Sequence, residues 1–191
     1  MRTSRQERKT RETEISVCLN LDGGPVQIET GIGFFNHMLN SFAVHGGFGL
    51  TLKAKGDLCV DGHHTVEDCG IVLGSAFEEA LGDRSGIARF GSFFAPMDES
   101  LAFAAVDISG RPFLVFRADF GQERVGEFDS CLTEEFFRAF AFHAGMTLHL
   151  QCLYGSNAHH QIEALFKAAA HAVKAAVKPS GAGVLSTKGS L

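Results

Sequence analysis

Two copies of one histidine-rich motif are the residues of this chain best suited to chemistry. Residues 63–67 read His-His-Thr-Val-Glu, and 96 positions later residues 159–163 read His-His-Gln-Ile-Glu. Imidazole nitrogens and carboxylate oxygens bind divalent transition-metal ions, and a helix projects residues i and i+4 from the same face. Two copies in register predict two metal sites. The alternative, two exposed helix starts that carry histidine by chance, does not account for the repeated spacing.

The adjacent histidines within each motif are expected to point in different directions. Neighbouring residues point about 100° apart around a helix, so His63 and His64 cannot easily chelate one ion. The same holds for His159 and His160. The sequence therefore predicts that each pair is divided between two ions.

A second repeat at the same spacing indicates a duplicated fold. Residues 49–52 (GLTL) align with residues 145–148 (GMTL), again 96 positions apart. In each half an alternating strand leads through a turn into the motif and then into a helix. Each half is too short to bury a comfortable core alone, so the two must pack together. We expect one α+β domain, 1–191, made of two pseudo-repeats at about 1–90 and about 91–191.

The remaining patterns predict the elements that position these residues. Residues 13–21 alternate and meet a Gly- and Pro-containing turn before 26–29, which predicts a hairpin. Further strands are predicted at 101–107 and 113–119, and helices at 34–44, 71–81, 134–142 and 163–177. The basic run between Arg2 and Arg11 is expected to be a solvated or disordered arm.

Composition excludes several classes of protein. The 191 residues carry a net charge of −5, which argues against a nucleic-acid surface. The five cysteines are odd in number, widely spaced and without a CxxC pair, so they indicate free thiols of a reducing compartment, with the cytoplasm as the default. No apolar run approaches the roughly 18 to 20 residues that span a bilayer, and the N-terminus lacks a signal-peptide core. We expect no membrane partner.

An ordered set of motifs along nearly the whole chain is similar to the imidazoleglycerol-phosphate dehydratases of histidine biosynthesis. The segments that carry the resemblance are 10–13 (TRET), 30–39 (TGIGFFNHML), 56–57 (GD), 63–68 (HHTVED), 89–91 (RFG), 109–112 (SGRP), 157–160 (NAHH) and 186–189 (STKG). The resemblance implies a duplicated α+β fold like domain 2 of ribosomal protein S5 and a homo-oligomer of 24 subunits. It also implies a monofunctional enzyme, since the chain has no room for a fused phosphatase domain.

The resemblance further implies a site with two Mn²⁺ ions. It assigns as metal ligands His37, His63, His64, Glu67, Glu135, His159, His160 and Glu163. One of these positions, Glu135, and one residue next to a ligand, Asn36, depart from the family. Glu135 stands where many members have histidine; a carboxylate is a competent manganese ligand, although it changes the charge of the site. Asn36 stands where aspartate is usual, and its amide is expected to orient the His37 ring.

The implied reaction is the dehydration of D-erythro-imidazole glycerol phosphate to imidazole acetol phosphate. The hydrogen to be lost is not acidic, because no carbonyl adjoins its carbon, so the ring must accept electrons; two metal ions on its nitrogens would hold it as imidazolate. The resemblance assigns catalytic roles to Glu12, His45 and Glu163, with Glu12 the leading candidate for proton transfer at carbon. Phosphate binding falls to Arg89, Arg111, Ser186 and Lys188, with Glu12 also beside the substrate. Without the resemblance, Arg111 in SGRP is a plain turn residue.

Two other classes of function fit parts of the sequence. A dinuclear metallohydrolase also gathers histidine and glutamate, but HHxxE is neither HExxH nor HxxEH. A non-catalytic RNA-binding module is suggested only by the S5-like fold, and fold is not evidence of function. The net acidity, the single tyrosine and the absence of a basic-aromatic strip weigh against RNA.

Overall fold

The computed structural model describes residues 2–181 and 183–189 of an α+β protein. The helices are α1 (Gly33–Gly46), α2 (His63–Leu81), α3 (Leu132–His143) and α4 (Ala158–Val177). The strands are β1 (Thr3–Lys9), β2 (Thr13–Asn20), β3 (Val26–Glu29), β4 (Gly49–Gly56), β5 (Phe90–Met97), β6 (Ser100–Asp107), β7 (Phe113–Arg117), β8 (Arg124–Val125), β9 (Phe128–Asp129) and β10 (Thr147–Tyr154).

Two four-stranded sheets repeat one topology, as the duplicated motifs predicted. The first has the order β1-β2-β4-β3 and the second the order β5-β6-β10-β7. One edge strand of each sheet runs parallel to its neighbour. In the first sheet this strand is β3, beside β4, and in the second it is β7, beside β10. The short hairpin of β8 and β9 is additional to the second half. The internal duplication is therefore a property of the fold, while the division near residues 90 and 91 stays a prediction.

The four helices lie between the two sheets and form most of the core. Alternation places Ile15, Val17 and Leu19 of β2 on the buried face of the first sheet, against α2. In the second sheet α4 covers β5 and β6. A ring cluster joins the helices at the centre, with Phe140 of α3 within 5.3 Å of Phe77 of α2 between ring centroids. This packing couples the two halves into one hydrophobic core.

Two glycines on α2 allow it to lie directly against α3. A Cβ atom at Gly70 would lie 2.7 Å from the Phe136 carbonyl oxygen, and one at Gly74 would lie 2.6 Å from the Phe140 carbonyl oxygen. Such distances are shorter than any ordinary contact between a carbon and an oxygen. The spacing of four residues puts both glycines on the same face of α2, so this face brings α3 and its acidic first turn close to the start of α2.

Two of the predictions for the N-terminal region were wrong. The basic segment is not a solvated arm, because β1 pairs with β2 along its whole length. Its inward side chains are polar and find polar partners: Arg8 binds Asp68, and Ser4 binds Glu79. The expected hairpin of β2 and β3 is also absent from the described chain, since β3 leaves β2 and pairs in parallel with β4. A helix between β3 and β4 makes this parallel pairing possible.

The other predicted elements are confirmed; the helices are longer than predicted, whereas the strand predicted at 113–119 ends at Arg117. The helices at 34–44, 71–81, 134–142 and 163–177 correspond to α1 to α4, and Gly47 ends α1 with φ of 70°. The predicted strands at 101–107 and 113–119 correspond to β6 and β7, whereas β5 was not predicted. Across the described residues, no helix is both long and apolar enough to cross a membrane.

Candidate active site

One group of potential metal ligands joins α1 to the start of α4. His37 Nε2 lies 3.4 Å and His159 Nε2 lies 3.2 Å from the same oxygen of Glu163, Oε2. The first turn of α4 is fixed because the Asn157 side chain accepts a hydrogen bond from the backbone N–H of His159 at 2.9 Å. Glu163 is the buried member, with 9% of its side chain exposed, and the two histidines are half-exposed.

A second group joins the start of α2 to α3. His63 Nε2 lies 3.7 Å from Glu67 Oε2, and Glu135 of α3 completes the group, in which all three donor atoms lie within 4.8 Å of one another. Glu135 also forms an ion pair with Arg138 one turn along α3. Glu135, the position that departs from the family, is therefore the third potential donor of this group.

The second histidine of each motif lies outside both groups. His64 Nδ1 is 3.1 Å from Asp57 Oδ2, and its Nε2 is 3.9 Å from Glu12 Oε2. His160 Nδ1 is 2.7 Å from Glu99 Oε2. The hydrogen bonds to Asp57 and Glu99 raise the pKa of His64 and of His160, respectively. Within one chain each adjacent pair thus contributes its first histidine to a ligand group and turns its second to a different carboxylate.

Burial and neighbouring charges shift the pKa of Glu163 in the first group and of His45, which lies outside it. Burial opposes the ionisation of Glu163, but Lys167, one turn further along α4 at 2.7 Å, and His37 outweigh it and lower the pKa of Glu163. Burial, and next the charge of Lys167, lower the pKa of His45. The His45 ring also lies 5.4 Å from that of His171. At neutral pH His45 is therefore a neutral group, able to accept a proton.

The predicted phosphate ligands form a separate cluster in this chain, at the C-terminal end of α4, where the Arg89 N–H donates to the Ala176 carbonyl, and not at the first turn of α4, which carries His159. Arg89 donates to Asp107 at 2.7 Å, and Arg111 lies 3.5 Å from the other oxygen of the same carboxylate. The pKa of the Arg89 guanidinium is raised, chiefly by its hydrogen bond to Asp107. A further N–H of Arg89 donates to the backbone carbonyl of Leu185. This contact brings the segment of Ser186 and Lys188, where the Lys188 N–H donates to Ser186 Oγ at 3.2 Å, next to the arginine.

The two ligand groups fit manganese by the chemistry of their donors. Each offers imidazole nitrogen and carboxylate oxygen, a set that suits Mn²⁺ and other divalent ions of the first transition row. Three donors from one chain leave places for further ligands and for substrate. A cleft of about 750 Å³ on the outer face of the first sheet is lined by none of the predicted site residues, so the ligand groups lie on a different surface.

The sequence missed three residues of this region and misassigned one. Asp57, Glu99 and Lys167 contact predicted site residues. Asp57 lay in the GD motif at 56–57 but received no role, and Lys167 lies four residues after Glu163 on the same helix face; Glu99 carried no signal. Asn36 was expected to orient His37. That prediction was wrong, because the Asn36 side-chain oxygen accepts from the N–H and hydroxyl of Thr30 at 2.8 and 2.6 Å and so fixes the start of α1 instead.

A duplicated α+β fold with two histidine-carboxylate groups defines a narrow class of proteins, and comparison with known proteins identifies it. The family model described as imidazoleglycerol-phosphate dehydratase matches residues 30–173. A protein of that name from Lacticaseibacillus casei (strain BL23) is 58% identical over 192 residues, covering 99% of each chain, and one from Acetivibrio thermocellus is 57% identical over 187 residues, covering 96% of each.

Solved structures agree with these sequence relatives. The crystal structure of imidazoleglycerol-phosphate dehydratase from Staphylococcus aureus has a TM-score of 0.85 and 42% identity, covering 93% of this chain and 99% of that one. The enzyme from Pyrococcus furiosus, solved in complex with (S)-C348, also has a TM-score of 0.85, with 37% identity over 97% of this chain and 99% of that one. The chain belongs to the imidazoleglycerol-phosphate dehydratase family, and it is an enzyme, a hydro-lyase of histidine biosynthesis. Neither alternative class, metallohydrolase or RNA-binding module, gains support.

Proposed function

We propose that this enzyme converts D-erythro-imidazole glycerol phosphate to imidazole acetol phosphate in the cytoplasm, with two Mn²⁺ ions in each active site and each site completed by a neighbouring subunit. The observation that carries the proposal is the division of both histidine pairs. His63 and His159 each belong to a three-donor group, while the Nε2 atoms of His64 and His160 belong to neither. Each chain thus carries two three-donor groups and two further histidines, His64 and His160, which we call the spare histidines. A metal site shared between subunits requires donors of both kinds.

His37, His159 and Glu163 would hold one ion, and His63, Glu67 and Glu135 would hold the other. His64 and His160 would add one ligand each from a neighbouring subunit. Manganese, when bound, supplies the positive charge that favours the imidazolate form of the substrate ring. The low pKa of Glu163 supports this assignment, since a carboxylate must be ionised to act as a ligand.

Glu12 is the proposed acceptor of the carbon-bound proton. Its carboxylate is exposed and lies 3.9 Å from His64 Nε2, so it borders the surface where the spare histidine would meet a neighbouring ligand group. His45 is proposed as a second proton-transfer group because burial lowers its pKa. A general base must be unprotonated at the operating pH and within reach of the proton that it removes.

The substrate phosphate is proposed to bind Arg89, Arg111, Ser186 and Lys188. Two guanidinium groups and an ammonium suit a phosphate dianion, and hydrogen bonds from charged donors are stronger than those from neutral ones. Support comes from the convergence of Arg89 and Arg111 on Asp107 and from the bond between Arg89 and the backbone next to Ser186. This arrangement favours the phosphate role of Arg111 over that of a plain turn residue.

A homo-oligomer, of 24 subunits by the family resemblance, is supported by the difference between the two sheets. The outer face of the first sheet carries charged residues such as Glu14 and Lys53. On the second sheet Phe94 and Phe113 are 57% and 58% exposed, and Phe94 packs on Phe103 with 4.5 Å between ring centroids. Exposed apolar patches mark sites of protein association. Phe94 and Phe103 form one such patch, and Phe113 is a further exposed ring on the opposite edge strand.

Metal analysis and a product assay on the same purified sample test the proposal. We expect about two Mn²⁺ per chain, and formation of the enol or ketone product, followed by absorbance, that depends on the metal. Protein that forms the product at full rate after complete removal of divalent ions would contradict the metal site. Protein that retains two ions but does not dehydrate the substrate would contradict the assigned reaction.

A further inference from the structure

The spare histidines share a contact that the sequence did not indicate. In both, Nδ1 faces a carboxylate: Asp57 for His64, with 3.1 and 3.2 Å to its two oxygens, and Glu99 for His160, at 2.7 Å. An ionised carboxylate only accepts hydrogen bonds, so Nδ1 carries the hydrogen. In a neutral ring this tautomer leaves the lone pair on Nε2. That atom points away from Asp57 or Glu99 and lies 3.9 Å from Glu12 Oε2 in His64 and 3.7 Å from Asp98 Oδ2 in His160, beyond hydrogen-bond distance in both.

The duplication of the fold does not explain this repetition. At the spacing of 96 that relates the two motifs, Asp57 corresponds to Leu153, and Glu99 corresponds to Thr3. Neither counterpart carries a carboxylate. Asp57 follows the end of β4, whereas Glu99 lies in the turn between β5 and β6. The two halves therefore reach the same contact with residues from different elements.

The two carboxylate oxygens of Glu99 have different hydrogen-bond partners. Oε1 accepts from the backbone N–H groups of Ser156 and Asn157 at 3.1 and 2.9 Å and from the Ser156 hydroxyl at 3.4 Å, which fixes the turn before α4. Oε2 is left for His160. The anchored turn holds the carboxylate in place, so the direction of the His160 ring is fixed.

We propose that Asp57 and Glu99 are positioning residues that fix the tautomer and direction of His64 and His160, so that each presents Nε2 to a metal ion. The role rests on the proposed metal site. A histidine that binds a metal ion through one nitrogen usually donates its other N–H to a carboxylate, a carbonyl or water, and loss of that partner weakens metal binding about 10- to 100-fold.

The test compares Mn²⁺ binding by wild-type enzyme, Glu99→Gln and Asp57→Asn, by equilibrium dialysis and by the electron paramagnetic resonance of free Mn²⁺. In Glu99→Gln the amide oxygen can keep the bonds to Ser156 and Asn157, while the amide nitrogen faces His160 and favours the wrong tautomer. We expect one of the two ions to bind about 10- to 100-fold more weakly, with the affinity for the other ion and the melting temperature of the metal-free protein unchanged. Glu14→Gln, which removes an exposed carboxylate paired with Lys9, is the matched control.

A double-mutant cycle separates positioning from general support of the fold. If Glu99 acts through His160, the Glu99→Gln change should cost no further Mn²⁺ affinity once His160 is alanine. Independent, additive losses, or wild-type affinity in both carboxylate variants, would overturn the positioning role while leaving the metal site intact. Wild-type enzyme that binds no Mn²⁺ would instead overturn the proposed metal site, and the positioning role with it.

Discussion

At the scale of single residues, the two histidines of each motif differ in what their surroundings prepare them to do. His63 and His159 face a glutamate one turn along their own helix, whereas His64 and His160 are oriented by carboxylates from other elements. Adjacent positions on a helix cannot share a direction, so the repetition of histidine provides two ligand directions from one helix start. The division between two ions stays a prediction, and single substitutions test it.

His64→Ala and His160→Ala should each abolish dehydration and weaken Mn²⁺ retention. Loss of one of about four protein ligands removes both charge stabilisation and geometry from the metal site. Turnover and bound metal are measured on the same sample, with His143→Ala, an exposed histidine outside both ligand groups, as control. Near-normal turnover in either variant would show that the adjacent histidine is not required.

Arg111→Ala should raise KM or lower kcat/KM by an amount equivalent to about 1.5 to 3 kcal/mol, the scale of a hydrogen bond to a charged group. The Arg111 side chain is 65% exposed, and its ion pair with Asp107 spans 3.5 Å, so its removal should cost the fold little. Steady-state kinetics with metal analysis measure the effect, and Arg117→Ala is the control. A variant that unfolds or loses its metal while keeping its phosphate affinity would identify Arg111 as a turn residue.

At the scale of elements, the close contact of α2 with α3 positions the second ligand group. Gly70 and Gly74 remove the side chains that would separate the helices, and Glu135 reaches His63 and Glu67 across this contact. The second ligand group therefore depends on Gly70 and Gly74, which lie about one and two turns beyond Glu67 on the same helix.

Gly70→Ala should destabilise the enzyme by about 1 to 3 kcal/mol, the usual cost of an added group in a filled core. It should also weaken Mn²⁺ binding, because α3 must move away from α2. Thermal unfolding and metal titration measure the two effects. Gly33→Ala is a matched control in α1, where an added Cβ meets no atom within 4 Å. Equal stability and equal metal affinity of both variants would show that an added methyl group fits between α2 and α3 without separating them.

Strands that the sequence predicted bury apolar side chains, whereas β1, which it did not predict, turns polar side chains inward. Strand β2 was predicted because alternate apolar residues such as Ile15 and Val17 enter the core. Strand β1 was not, because its inward residues Ser4 and Arg8 bind Glu79 and Asp68 instead of apolar neighbours. A polar strand of this kind has the composition of a solvated arm, and only its long-range partners distinguish the two.

The candidate site was also predictable only in part, because local spacing along the chain reveals some contacts and not others. Ligands on a helix repeat at fixed spacing, so residues 63–67 and 159–163 were identified from the sequence. Asp57 and Glu99 contact their histidines through chain geometry that no local spacing records. The pairing of β3 with β4, across the length of α1, was hidden for the same reason. Turn residues show where a chain changes direction but not which strand it joins.

At the scale of the whole molecule, each chain offers two three-donor groups and two oriented spare histidines on surfaces that one chain leaves exposed. If neighbouring subunits close each site, the metal ions bind the assembled form more tightly than separate chains. Ligands that bind one state preferentially stabilise it by mass action. Metal and assembly are then thermodynamically coupled.

Chelation should therefore shift the enzyme from the proposed large particle toward smaller oligomers, and added Mn²⁺ should restore both size and activity. Analytical ultracentrifugation or light scattering follows the mass, with activity measured on the same samples. His160→Ala should respond to Mn²⁺ less completely than wild type, because it lacks one bridging donor, whereas His143→Ala should match wild type. The opposite result would be enzyme freed of metal that keeps the particle mass and regains activity on addition of Mn²⁺ without any change of size. It would show that other contacts, such as those of the exposed rings Phe94 and Phe113, hold the assembly without the metals.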